Sequence, residues 1–170
     1  MPSTNEVASH LFACFNAVYE VLGEGAPGFT NDAYVVRAHD MGRAFGAVAL
    51  ELRASIDADE SEVPAALDAV LRRAVTSDDT GAMVLYAMAM VLGPRLLISL
   101  LDARTALSSD EAFVEQLNRA SQVVVAEILA TGESAKHQAP IDDPKWQEVA
   151  LALSATLDDA GSAESLGISR

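Results

Sequence analysis

The sequence predicts an all-α protein, a single helical bundle of five to seven helices with a central apolar helix kinked or restarted near Pro94. Three observations predict it. The composition is 51% apolar but only 5% aromatic, and it leans on Ala, Leu, Val and Glu, which suit helices with small contact residues better than pleated sheets. Apolar positions recur at three- and four-residue intervals along most of the chain. Between these runs stand capping residues and Gly or Pro breakers. A length of 170 residues fits one domain, which buries about 70% of its unfolded surface without a metal or disulfide staple. That domain is expected over residues 1–161, with 162–170, "SAESLGISR", as a frayed tail.

Ser3 and Glu6 form a capping-box pattern, and Val7, Leu11, Cys14, Phe15, Val18 and Leu22 follow at helical spacing until "GEGAPG", predicting a first helix over about 4–23. Asn31 or Asp32 caps a second, whose stripe is Tyr34, Met41, Phe45, Val48, Leu52 and Ile56 and whose end is expected near "DADES". A third opens around Val63-Pro64, since proline is tolerated in a first turn. It carries Leu67, Val70, Leu71 and Val75 to the breaker "TSDDTG". The fourth is the apolar run "AMVLYAMAMVLGPRLLISLL". Ser108 or Ser109 caps the fifth, with Glu111 in the box position, Phe113, Leu117, Val124 and Ile128 inward, and Gly132 at its end. After the linker "GESAKHQAPIDD", Asp143-Pro144 starts the last helix, with Trp146, Val149, Leu153 and Leu157 on its apolar face.

The apolar run has three readings: a membrane span, the buried spine of a bundle, or the wall of a cavity for an apolar ligand. Its uncharged part, Gly81 to Pro94, is 14 residues, shorter than the roughly 20 a membrane span needs, and Arg95 in mid-bilayer would cost about 2.5–3.5 kcal/mol. A buried core helix is therefore expected, with Met83, Met88 and Met90 as gap-filling core. Gly93-Pro94 interrupts it, because Pro94 has no N–H to donate and its ring crowds the preceding turn. Arg95 sits in apolar sequence and needs a carboxylate or carbonyl partner, from this chain or from a ligand. A pocket at this bend would draw on Tyr86, Met90 and Arg95, with Phe45 from the second helix.

Ala38, Gly42 and Gly46 line one ridge of the second helix at four-residue spacing. Each glycine inside a helix costs about 1 kcal/mol relative to alanine, so something approaches this ridge closely, either another helix of the chain or a second copy across a symmetric dimer. Beside it, His39 with Arg37, Asp40 and Arg43 reads as a solvated face.

Charge and motif narrow the function. With 25 acidic and 11 basic residues the net charge is −14, a field that repels nucleic acid and anionic lipid. Cys14 is the lone cysteine, which points away from a disulfide framework, and "MPSTNEVASH" has neither the basic nor the apolar region of a secretory signal, so a cytoplasmic location is expected. Glu6, His10 and Cys14 are spaced by four, as are Glu133 and His137, yet no Glu-x-x-His, His-Glu-x-x-His or Cys-x-x-Cys pattern occurs; His10 and Cys14 are the pair to watch, and no cofactor is expected. His137 beside Lys136 reads as surface. The serines fall mainly where caps explain them, and no glycine-rich phosphate loop occurs. The first expectation is a non-catalytic helical interaction or regulatory protein, homodimeric. The alternative is a sensor or carrier for a small apolar or acidic ligand at the Pro94 bend, and the third a metal- or haem-dependent bundle enzyme.

Overall fold

Side-chain caps begin most of the helices in the computed structural model, which describes residues 3–57, 65–135 and 143–160. Helix α1 (Thr4–Gly25) opens on the expected capping box: Ser3 Oγ accepts from the Glu6 N–H at 3.2 Å, and Glu6 Oε2 accepts from the Ser3 N–H at 2.7 Å. A 3₁₀ turn, Ala26–Gly28, follows. Asn31 caps α2 (Asp32–Arg53), accepting from the Ala33 N–H at 3.0 Å. Then come α3 (Ala65–Ser77), α4 (Ala82–Ala106) and α5 (Glu111–Ala135). Asp143 caps α6 (Pro144–Ala160) through the Lys145 N–H at 2.9 Å, with Pro144 at the first helical position. The six helices pack together, and no strand occurs among the described residues. Val63, Pro64, Lys136, His137, the side chain of Leu157 and the tail 162–170 lie outside the described residues.

Three boundaries differ from expectation. Helix α5 is capped by Asp110, not Ser108 or Ser109: its Oδ1 accepts from the Phe113 N–H at 3.1 Å while Oδ2 accepts from Thr4 Oγ1 at 2.8 Å. One carboxylate, accepting through each of its two oxygens, thus ties together the starts of α1 and α5. Gly132 does not end α5, which runs on to Ala135. Helix α2 stops at Arg53, where the Ala54 and Ser55 N–H groups turn back to Glu51 and Leu52.

Pro94 disturbs α4 without dividing it. Met88–Leu92 form a π-turn in which the Gly93 N–H reaches back five residues to the Met88 carbonyl. Widening the turn makes room for the proline ring and lets the helix continue. Gly93 is needed there, because a Cβ would stand 2.7 Å from Ile128 Cγ1 on α5. The continuous helix is 25 residues, so the 14-residue charge-free limit no longer decides its nature: by length and hydropathy it could cross a membrane. Half of its most apolar window is buried inside the bundle. The buried half, including Met83, Leu85, Met88, Leu92, Leu96 and Leu100, joins Leu11, Phe15, Leu22, Met41, Leu52, Leu71, Phe113 and Leu117 in one core. Phe15 and Phe45 meet edge-on there at 5.2 Å.

Asp78 organises the corner between α3 and α4. Its carboxylate accepts from the Thr80 N–H at 3.0 Å, the Thr80 hydroxyl at 2.6 Å and the Met83 N–H at 3.2 Å. Burial pushes this carboxyl up, but the hydrogen bonds outweigh it and hold the group below its ordinary value. Asp78→Ala should therefore lose about 1–2 kcal/mol of unfolding free energy at neutral pH, as caps do. A carboxylate with a depressed folded pKa stabilises above the unfolded value of about 3.9, and this is lost as pH falls through the folded value. Urea titrations should show the gap between wild type and D78A narrowing towards pH 3; a constant gap would remove Asp78 from the acid response.

Candidate functional site

The glycine ridge of α2 meets α1 of the same chain. A Cβ on Gly42 would lie 3.5 Å from Leu22 Cβ, and one on Gly46 would lie 2.7 Å from the Tyr19 ring. The lower residue numbers of α1 face the higher ones of α2, so the two helices run antiparallel, α1 filling the place of the close neighbour that the ridge requires. A half-open groove of about 490 Å³ runs along this seam, with buried Ala38 and Gly42 among its lining. Leu22, Ala26, Val35, Ala38 and Gly42 form its apolar lining, with Tyr19, Gly23 and Pro27 beside them. Glu20 and Glu24 stand on the α1 side, and His39 and Arg43 on the α2 side.

The charges on this rim are unequally satisfied. Glu24 is paired with Arg72 of α3, which also binds Asp68 at 2.8 Å. Among the described residues, Glu20 accepts only from the neutral Asn16 amide, at 2.8 Å. Among the described residues, no hydrogen bond or ion pair involves His39 or Arg43. Arg37 departs from the solvated face expected for it. It enters the α2–α5 seam and pairs with Glu127, the two side chains being only 17% and 13% exposed. The periodicity of α2 places Arg37 on its polar side, and only the position of α5 converts that side into a seam.

The four residues expected at the Pro94 bend are spread over three surroundings. Tyr86 meets Trp146 of α6 edge-on at 4.5 Å, and Arg95 donates from Nη2 to Ser154 Oγ at 3.3 Å, so these two face the same helix. Phe45 is buried against Phe15, and Met90 is half exposed. None of the four lines the α1–α2 groove. His10 and Cys14 sit against the core: burial raises the Cys14 thiol to about 12 and lowers the His10 imidazole, disfavouring the thiolate that a metal would use. Among the described residues, no group of three or more His, Cys, Asp or Glu side chains is placed to hold a metal ion.

A second depression, about 500 Å³, lies between the α3–α4 corner and the start of α6, lined by Asp78, Asp79, Thr80, Met83, Asp143 and Lys145 among others. Its carboxylates are largely engaged in the fold, Asp78 and Asp143 as caps.

An apolar surface remains on the seam of α4 and α5. Arg104 donates to Asn118 at 3.1 Å across this seam. Val125 and Leu129 follow Asn118 at helical spacing on its side of α5, and Leu101 precedes Arg104 by three residues on α4. Met90, Ile98 and Leu101 on α4, with Val125 and Leu129 on α5, are exposed, up to 64% at Leu129. Neither carboxylates nor basic groups occur among these five. Comparison with known protein families, with curated proteins and with solved structures finds no match for this chain.

Proposed function

We propose that this chain is a non-catalytic helical interaction protein that forms a homodimer through the exposed strip of α4 and α5. The observation that carries this reading is the concentration of exposed Met90, Ile98, Leu101, Val125 and Leu129 along one seam, beside the Arg104–Asn118 hydrogen bond, in a chain whose net charge is −14. Scattered single apolar residues on a surface need no explanation, whereas a contiguous strip marks an association site. A second copy suits it because two-fold symmetry lets the same strip meet itself, laying helix pair against helix pair, while the acidic surfaces stay outside and in water. The strongly acidic net charge disfavours association through the acidic faces of the surface.

Light scattering or native mass spectrometry of the full chain tests it. A dimer is expected at micromolar concentration, and Ile98→Glu with Leu129→Glu should return it to monomer while helical circular dichroism is kept. A wild-type chain that is monomeric at high concentration, or a double variant that stays dimeric, would defeat the reading.

A further inference from the structure

We propose that the groove between α1 and α2 binds a small zwitterion with an apolar body, of the kind that an apolar α-amino acid presents. Its volume of about 490 Å³ is ample for such a molecule and falls within the usual range of ligand sites. Tyr19, Gly23, Pro27 and Val35 offer the body the accessible apolar surface of the groove, above buried Leu22, Ala38 and Gly42.

The rim selects the polar ends. Arg43 carries a full positive charge without a partner among the described residues, and Glu20 carries a negative charge met only by a neutral amide. Both line the same groove from opposite helices, yet they do not pair with each other. A simple anion would meet Arg43 but would be repelled by Glu20 and by a chain of net charge −14. A simple cation would meet Glu20 but face Arg43. An uncharged apolar molecule would fill the lining and leave both rim charges unanswered. A zwitterion places its carboxylate towards Arg43 and its ammonium towards Glu20, and so answers both.

The inference stands apart from dimer formation, which uses α4 and α5. Its test is titration of the ¹⁵N-labelled full chain with L-phenylalanine, 3-phenylpropionate and 2-phenylethylamine, three molecules of one apolar body with both, one or the other charged group. Millimolar L-phenylalanine should shift the amides of Gly23, Ala38 and Gly42, and bind more tightly than either single-charge analogue. Arg43→Met and Glu20→Gln, both at exposed positions, should each weaken it by about fivefold, the loss of one rim ion pair. Unmoved groove amides with L-phenylalanine, L-leucine and L-tryptophan alike would overturn the proposal. So would 3-phenylpropionate or 2-phenylethylamine binding as tightly as L-phenylalanine, or affinity unchanged in both variants.

Discussion

Gly81→Ala is expected to cost about 3 kcal/mol of unfolding free energy, from two independent effects at one atom. Gly81 is the one described residue with positive φ, at +85°, and a side chain there carries a strain of about 1–2 kcal/mol. The new Cβ would also stand 2.4 Å from Phe29 Cδ2 and 2.6 Å from Cε2, and Phe29 is a nearly buried ring with little room to retreat. The neighbouring backbone is pinned too, since the Thr30 N–H donates to the Asp79 carbonyl at 2.8 Å. For a chain of this size such a loss lowers the melting temperature by about 6–12 °C. Gly132→Ala is the matched control. That glycine lies inside α5 with nothing within 4 Å of a Cβ, so alanine there should raise stability by up to about 1 kcal/mol. If G81A and G132A melt alike, the corner is not built as described. Adding Phe29→Ala to G81A separates the two effects, because it relieves the collision and leaves the backbone strain; the two substitutions should therefore be less than additive.

Much of the fold was legible because it depends on neighbours in the sequence. Ser3 with Glu6, Asn31, and Asp143 with Pro144 all cap as their local pattern requires, and the apolar stripes of α1 and α2 face the core. Where local chemistry had competitors, tertiary contact decided. Asp110 outranks Ser108 and Ser109 because Thr4, more than a hundred residues away, completes its hydrogen bonding. Gly132 lacks the left-handed backbone that ends a helix, and its composition alone does not reveal this. Pro94 announces a disturbance, but whether a helix breaks or widens into a π-turn depends on what packs around it, here Ile128 against Gly93.

The candidate sites were less legible than the fold. The close approach at Gly42 and Gly46 is readable from the cost of helical glycine, but the groove beside it exists only once α1 is laid along α2. His39 and Arg43 look like any exposed polar pair until Glu20 and Glu24 are brought opposite them. The apolar run drew attention to Pro94 and Arg95, where Tyr86 and Arg95 turn out to hold α6 through Trp146 and Ser154. The exposed strip was hidden for the opposite reason: a run apolar on all sides does not say which side stays in water.

Arg37→Met should cost about 3 kcal/mol at neutral pH, far more than replacing an exposed arginine such as Arg43. Arg37 and Glu127 join α2 to α5 with both charged groups mostly removed from water, and Arg37 Nε is buried without a hydrogen-bond partner. The Glu127 carboxyl lies above its ordinary value: burial raises it, Asp40 adds to the rise, and the attraction of Arg37 does not fully offset them. Removing Arg37 strands a carboxylate in the seam. Removing both charges with Arg37→Met and Glu127→Leu leaves two apolar side chains of suitable size and should restore wild-type stability or exceed it by about 1 kcal/mol. Because the folded pKa of Glu127 is raised, its contribution to stability is fully present below the unfolded value of about 4.3 and is lost as pH rises through the folded value. Loss of Arg37 raises that folded value further, so the deficit of R37M should shrink when the medium is acidified from pH 7 to about 4.5. Urea denaturation of wild type, R37M and the double variant at both pH values measures this. An R37M deficit that is small at pH 7, or that does not shrink on acidification, would show that Glu127 is solvated and that the seam does not depend on the pair.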